Sequence, residues 1–172
     1  MNGFDRLHPA LRHHIVNSLG WDELRPAQAA AIDPILNDRH ALILAPTAGG
    51  KTEAAVFPVF SRMLTQHWSG LSTLYICPLR ALLNNLEPRL GRYARLIGRS
   101  VGIWHGDVSQ GLKRGLLREP PDLLLTTPES LEGMLISRRV DRVALLADLR
   151  SVIVDELHAF AGDDRGWIFS QS

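Results

Sequence analysis

The strongest constraint on the fold of this chain is an abrupt change of residue pattern near position 50. The stretch LILAPTAGGKTEAAVF, residues 42–57, passes from aliphatic residues to a glycine pair and a lysine, and then to helix formers. Its segment 45–52 matches the phosphate-loop pattern at every position except the first, where Ala45 replaces glycine. A strand, a glycine-rich turn and a helix in this order predict that the chain turns around a phosphate.

Each residue type in this loop has a chemical reason to be there. Gly49 and Gly50 reach backbone torsions closed to other residues, so several N–H groups can point at one phosphate. Lys51 would supply a positive charge to the β and γ phosphates, and Thr52 a hydroxyl for Mg²⁺. We therefore expect a nucleoside triphosphate and Mg²⁺ as the ligands of this loop.

The rest of the chain alternates between two patterns. Short apolar runs predict buried strands, and they cover residues 40–45, 72–77, 101–104, 122–127 and 151–156. Between them, helical patterns cover residues 52–63, a leucine repeat from Leu79 to Leu90, and the segment that begins at Thr127 and Pro128. The alternation predicts an α/β fold, with a mostly parallel sheet and helices on both faces.

Two prolines qualify the helix predictions. Pro58 is expected to bend or break the helix that follows the phosphate loop. Pro88 is expected either to kink the leucine-repeat helix or to start a second helix at its first turn.

The last predicted strand ends in two acids. It delivers Asp155 and Glu156 to the carboxyl edge of the sheet, where ligands of parallel sheets bind, next to the loop after the first strand. A phosphate loop needs such a carboxylate to hold the metal and a second group to orient the attacking water. Asp155 is therefore predicted to hold Mg²⁺ and Glu156 to polarise the water, while His158 could sense the γ phosphate.

Composition places few limits on the partner. The chain has 172 residues, 45% of them hydrophobic, which is enough for one buried core. A net charge of +1 gives no whole-chain argument for a polyanionic partner, so any nucleic-acid contact depends on local Arg and Lys. The single cysteine, Cys77, excludes an internal disulfide. Without a signal peptide or an apolar run of about 20 residues, we expect a cytoplasmic protein and no membrane partner.

Six motifs in order give a specific resemblance. LRPAQ, APTAGGKTE, PLRALLNN, HGD, TTPESLEGML and VDELHAF together resemble the first RecA-like domain of superfamily 2 DExH-box helicases, and they look most like the Lhr-like (large helicase-related) branch. The resemblance implies an ATP-dependent helicase with ATP and Mg²⁺ as cofactors, catalysis by Lys51, Asp155 and Glu156, and coupling through His158. The implied ATP-binding residues are Gln28, which would read adenine, and Thr47, Ala48, Gly49, Gly50, Lys51, Thr52 and Glu53, with Thr52 and Asp155 as metal ligands.

The resemblance also implies a track for single-stranded nucleic acid that touches phosphates and sugars rather than bases. Its residues would be Pro78, Arg80, Gly106, Thr126, Thr127, Pro128 and Glu129. Such contacts carry little sequence information, so DNA and RNA both stay open. Movement from 3′ to 5′ on DNA is the preferred interpretation, because Lhr-like relatives are mostly DNA translocases.

We expect residues 1–172 to form one incomplete motor domain, with N-terminal helices over 1–38 and the P-loop core over 39–172. The chain ends soon after Asp155, so the sheet is expected to be truncated at its C-terminal edge and the second RecA-like domain to be missing. Alone, such a domain is expected to bind nucleotide weakly, to hydrolyse it slowly, to unwind nothing and to self-associate.

Other functions fit the residues less well. The alternative is a non-catalytic nucleotide or nucleic-acid binding module, although such a module has no chemical need for Glu156. A transporter ATPase is disfavoured because no LSGGQ segment lies between the loop and VDELH.

Overall fold

The computed structural model describes residues 3–46 and 49–160, and they fall into two compact units with a boundary after Trp68. The first unit, Met1–Trp68, is helical. It contains a short 3₁₀ helix at Gly3–Arg6, followed by α1 (Pro9–Asn17), α2 (Pro26–Leu36) and α3 (Lys51–Thr65). Helices α2 and α3 pack along each other. Their buried side chains include Ile32, Phe57, Phe60 and Met63.

The predicted break at Pro58 does not occur. Helix α3 runs without interruption from Lys51 to Thr65, with Pro58 buried inside it. An interior proline removes one N–H···O bond and crowds the preceding turn. Phe57, Val59 and Phe60 are at most 3% exposed, so burial of these side chains offsets that cost.

The predicted strand over residues 40–45 is wrong. This segment has no regular secondary structure, and the side chains of Leu42 and Leu44 are 71% and 82% exposed. It lines, together with α2, a cavity of about 510 Å³. An extended segment becomes a strand only when another strand pairs with it, and the described part of the first unit contains none. Aliphatic residues at 42–44 indicated a capacity for burial, but they could not supply a pairing partner.

The second unit, Ser69–Ser172, carries the sheet. Its strands are β1 (Thr73–Ile76), β2 (Val101–Trp104), β3 (Leu123–Thr126) and β4 (Ser151–Val154), and its helices are α4 (Arg80–Leu96), α5 (Gln110–Arg118), α6 (Pro128–Ile136) and α7 (Arg142–Leu145). A 3₁₀ helix follows at Leu157–Phe160. All described pairings are parallel, in the order β2-β3-β1-β4. The predicted α/β class with a parallel sheet is confirmed.

Burial follows position in the sheet. The inner strands β1 and β3 are buried at every residue, as their largely apolar sequences predict. Strand β4 lies at one edge of the described sheet, and Val152 on it is half exposed. The core beside the sheet combines Leu74, Ile76, Leu124, Leu131, Met134 and Phe160.

Helix α4 settles the question raised by Pro88. It is one helix from Arg80 to Leu96 that contains Pro88, so the alternative of a second helix starting there is wrong. Leu83, Leu86 and Leu90 are buried as the repeat predicts, whereas Leu79 precedes the helix and is 54% exposed. Helix α6 begins as predicted, since the Thr127 side chain accepts the Ser130 N–H.

Within the described ranges, no helix combines the length and the apolar character that crossing a bilayer requires.

Candidate active site

The phosphate loop of the first unit is built at the amino end of α3. Gly50 is the N-cap residue and has a φ of 73°, in the left-handed region that favours glycine. The Gly49 N–H donates to the Pro46 carbonyl at 2.7 Å, which closes the turn before the helix. Thr47 and Ala48, both predicted ATP contacts, lie outside the described residues.

Lys51 and Thr52 are the first two residues of α3, where the helix presents its positive end. The Lys51 Nζ donates to the Ala45 carbonyl at 3.1 Å, so its ammonium group folds back over the loop. Glu53 is 6% exposed and points into the unit. An ammonium group, a hydroxyl and a helix amino end therefore share one turn, which is the arrangement that a phosphate chain requires.

Gln28 contacts this loop directly. Its Oε1 accepts the Arg25 N–H at 2.9 Å, and its Nε2 donates to the Gly50 carbonyl at 3.4 Å. The side chain is only 2% exposed. Both polar atoms of Gln28 thus have partners inside the unit, and its contact with adenine stays a prediction.

We expect Gly50→Ala to destabilise the chain more than Gly20→Ala does. Both glycines have positive φ, 73° and 69°, so each alanine carries a backbone cost of about 1–2 kcal/mol. A β-carbon at Gly50 would also collide with the Gln28 amide, whereas nothing lies within 4 Å of one at Gly20. Displacing Gln28 breaks its bond to Arg25, which costs about 1 kcal/mol more. Urea denaturation measures the difference, and equal losses would contradict this packing of Gln28 on the loop.

In the second unit, all four strands end at the same level. The final residues Trp104, Thr126, Ile76 and Val154 are paired in one row across the sheet. The residues that follow them therefore emerge at a single edge. Two predicted groups lie at these strand ends or in the segments just after them. They are the acids and the residues of the nucleic-acid track.

Asp155 is held firmly at this edge. Its N–H donates to the Ile76 carbonyl at 2.8 Å, which continues the pairing of β4 with β1. Its Oδ2 accepts the Tyr75 hydroxyl at 2.6 Å, and its Oδ1 accepts the Glu156 N–H at 2.9 Å. The carboxylate therefore has a fixed orientation.

Glu156 has an unusual backbone. Its φ of 51° lies in the left-handed region, which non-glycine residues adopt rarely and at a cost. The Glu156 Oε2 lies 3.3 Å from Nδ1 of His158, whose side chain is 81% exposed. The two acids therefore have different contacts: the Asp155 carboxylate accepts two hydrogen bonds, whereas the Glu156 carboxylate lies beside an exposed histidine.

These groups fit a magnesium ion in chemistry. Mg²⁺ prefers oxygen ligands, and in nucleotide sites it takes one or two carboxylates together with phosphate oxygens. Each Asp155 oxygen accepts one of the hydrogen bonds described above and has a second acceptor position. Across residues 3–46 and 49–160, no three acidic, histidine or cysteine side chains cluster as a closed metal site.

Cys77 lies just after β1 beside these acids and is fully buried. Burial raises the pKa of its thiol to about 11; the Leu79 carbonyl opposes the rise, and Asp155 and Glu156 add to it. The thiol therefore stays protonated at neutral pH.

Arg80 and Gly106, both predicted track residues, meet in the second unit. Arg80 forms an ion pair with Asp107 at 3.0 Å, and both side chains are more than half exposed. A β-carbon at Gly106 would lie 3.0 Å from the Arg80 guanidinium. Gly106 thus gives Arg80 the space to lie across the loop after β2.

His105 connects that loop to helix α4. It is 3% exposed, and its Nε2 is 2.9 Å from the Asn84 Oδ1 on α4. Burial lowers the pKa of the His105 imidazole below its ordinary value; Asp107 opposes this effect, while Arg80 and Lys113 add to it. A neutral His105 therefore ties the loop to the helix that carries Arg80.

The remaining track residues are less accessible than the sequence suggested. The Thr126 hydroxyl donates to the Trp104 carbonyl at 2.8 Å, and the Thr127 hydroxyl caps α6. Pro78 and Pro128 are also buried, whereas Glu129 is exposed. A nucleic-acid strand that contacts this part of the sheet edge would have to use the backbone at the start of α6 rather than the threonine hydroxyls.

Sequence reasoning missed three residues of this edge. Tyr75, Asn84 and Asp107 received no role, although the structure joins them to Asp155, His105 and Arg80. The tyrosine left one signal, an aromatic ring with a hydroxyl between Leu74 and Ile76. Asn84 and Asp107 become visible only when α4 and the loop after β2 are brought together.

Comparisons with known proteins find helicases. A family model of DEAD/DEAH box helicases matches residues 25–172. An Lhr helicase and probable uracil glycosylase of Mycolicibacterium smegmatis is 37% identical over 156 residues, which cover 82% of this chain and 10% of that protein. An Lhr-Core ATP-dependent helicase of Sulfolobus acidocaldarius is 33% identical over 154 residues, or 82% of this chain and 17% of that protein.

A solved structure agrees. The Mycobacterium smegmatis helicase Lhr bound to ssDNA and AMP-PNP superposes with a TM-score of 0.82 at 33% identity, over 98% of this chain and 22% of that one. The RNA helicase Prp28 of Chaetomium thermophilum bound to ADP gives a TM-score of 0.81 at 26% identity, over 94% and 39%. The chain spans less than two fifths of each of these relatives.

Proposed function

The chain belongs to the DEAD/DEAH box helicases, as a first RecA-like domain of the Lhr type, and from this premise we propose that it works as the ATP-binding motor domain of a 3′-to-5′ DNA translocase. The observation that carries the proposal is the row of strand ends in the second unit. This row brings the two acids and the exposed Arg80 to one edge of the sheet.

For nucleotide, we propose that Lys51 and the amino end of α3 bind the phosphate chain. Thr52 and Asp155 would hold Mg²⁺, which, when bound, neutralises charge on the β and γ phosphates. Glu156 accepts a proton from the attacking water, and His158 beside it senses the γ phosphate. Gln28 would read adenine, and Thr47, Ala48, Gly49, Gly50 and Glu53 would be further ATP contacts.

For nucleic acid, we propose that Arg80 binds a phosphate while Gly106 and the backbone after Thr127 border the strand. Contacts of this kind read the sugar-phosphate chain and not the bases. The M. smegmatis relative carries ssDNA in its solved structure, which supports DNA over RNA as the preferred strand.

We propose further that both units belong to one motor domain and that unwinding needs a second RecA-like domain. In related phosphoryl-transfer systems an arginine supplied from outside raises turnover by about 10³-fold or more. The 172-residue chain by itself should therefore bind nucleotide and strand, hydrolyse slowly, and separate no duplex.

The test is strand binding by two opposite variants. We expect Arg80→Ala to weaken binding of a labelled single-stranded DNA, because a phosphate loses its cation. Asp107→Asn should strengthen binding about two- to fivefold, since the carboxylate competes with phosphate for the same guanidinium. Fluorescence anisotropy over a range of salt concentrations measures both, and the salt slope for Arg80→Ala should fall by about 1.

Arg150→Ala is the matched control. Arg150 is exposed and immediately precedes β4, at the opposite edge of the sheet. It should leave affinity and salt slope unchanged. The track assignment is wrong if Arg80→Ala behaves like this control or if Asp107→Asn weakens binding. Tighter binding of RNA than of DNA of the same sequence would contradict the DNA preference alone.

A further inference from the structure

We propose that Tyr75 is a positioning residue for the metal-binding carboxylate of Asp155. The inference rests on the proposed function, because it concerns the same ATP site. Tyr75 lies on β1, opposite Ile153 of β4 and one row inside the strand ends. Its hydroxyl donates to the Asp155 Oδ2 at 2.6 Å.

The contact is built from a buried side chain. Tyr75 is 1% exposed, and its neighbours on the strand, Leu74 and Ile76, are aliphatic. Burying a hydroxyl is unfavourable unless it is hydrogen-bonded, so a phenylalanine would satisfy packing alone at lower cost. The hydroxyl therefore has a reason beyond filling the core, and its partner is the acid assigned to the metal.

Two donors fix the plane of the carboxylate. Tyr75 holds Oδ2, and the Glu156 N–H holds Oδ1 at 2.9 Å. The second donor depends on the left-handed backbone of Glu156, with φ at 51°. Because the Asp155 N–H also bonds to Ile76 of β1, backbone and side chain are both tied to the same strand.

The arrangement leaves room for a cation. A carboxylate oxygen has two acceptor positions, and the phenol uses one on Oδ2. Groups that hydrogen-bond to a ligating side chain orient it, and their loss costs about tenfold or more in metal affinity. Tyr75 thus acts through Asp155.

The test compares Tyr75→Phe with Tyr93→Phe. These are the two tyrosines of the chain, both buried in the second unit, and each change removes one hydroxyl. Binding of a fluorescent ADP is measured with EDTA and across a Mg²⁺ titration. We expect the Mg²⁺ concentration for half-maximal enhancement to rise about tenfold in Tyr75→Phe. Affinity in EDTA should be unchanged, and Tyr93→Phe should match the parent.

The outcomes separate this inference from the proposed function. If Tyr75→Phe lowers the melting temperature but keeps the parental Mg²⁺ dependence, the hydrogen bond is only structural and the inference is overturned. If the parent itself shows no Mg²⁺-dependent binding, the proposed function fails and this inference falls with it.

A second measurement leaves the hydroxyl in place, in case Tyr75→Phe does not fold. Incorporation of 3-fluorotyrosine gives two ¹⁹F resonances, and Tyr93→Phe assigns them. Adding Mg²⁺ to the ADP-bound chain should shift the Tyr75 resonance and leave that of Tyr93 in place. An unmoved Tyr75 resonance would overturn the positioning role.

Discussion

Lys51→Ala should reduce affinity for a labelled ATP analogue by about 10- to 100-fold, the effect of losing one hydrogen bond to a charged group together with its charge. Lys51 is the first residue of α3 and folds over the loop to the Ala45 carbonyl. No other cation of the described loop, residues 45–46 and 49–52, can replace it. Fluorescence anisotropy in the presence of Mg²⁺ measures the loss.

The stability of the fold should not fall in Lys51→Ala as the nucleotide affinity does. A positive charge at the amino end of a helix opposes the helix dipole, so removing Lys51 relieves a small repulsion. The melting temperature of Lys51→Ala should stay close to that of the parent, because this relief offsets the loss of the hydrogen bond to the Ala45 carbonyl. The control is Lys113→Ala, which removes the same charge from α5 and should keep nucleotide affinity. Parental affinity in Lys51→Ala would refute the assignment of the loop.

The sequence predicted the sheet of the second unit well because its strands carry their own signal. The runs 72–77, 101–104, 122–127 and 151–156 each contain one observed strand. The two inner strands are rich in leucine and isoleucine and contain no charged residue, which is typical of a strand buried on both faces. Order along the chain then placed the acids at the carboxyl edge.

The failure at residues 40–45 has a different cause. The same aliphatic signal was present, but a strand also needs a neighbour, and pairing is a long-range property that local pattern does not contain. The two prolines show a similar limit. Pro58 and Pro88 lie inside continuous helices, because tertiary packing outweighs the local penalty that sequence reasoning applied.

The candidate site shows the same difference between local pattern and long-range contact. Lys51 could be named because the spacing of the phosphate loop reflects a ligand of fixed size. Asp155 and Glu156 could be named because an apolar strand ends at them. Tyr75 and Asp107 could not, since each acts on a residue from a separate segment. Thr127 is a third case. The resemblance placed it on the nucleic-acid track, and the structure shows that its hydroxyl caps α6.

Glu156→Gln should separate a motor domain from a mere binding module. The amide has the size of the carboxylate but cannot accept a proton from water, so turnover should fall by about a hundredfold or more. Nucleotide affinity should stay parental, because Lys51 and Asp155 are untouched. Phosphate release is measured for the 172-residue chain and for the same variant in a protein that carries a second RecA-like domain.

The structure indicates that Glu156→Gln changes the side chain without changing the turn that carries it. The hydrogen bond to the Asp155 Oδ1 comes from the Glu156 backbone N–H, so we expect the glutamine variant to keep this bond and the φ of 51°. Any change in turnover therefore reflects the lost carboxylate rather than a rebuilt turn. Glu132→Gln on the exposed side of α6 makes the same chemical change away from the strand ends and should leave turnover unchanged. If Glu156→Gln and Glu132→Gln turn over ATP at the parental rate, Glu156 is not the base, and a binding module becomes the better description.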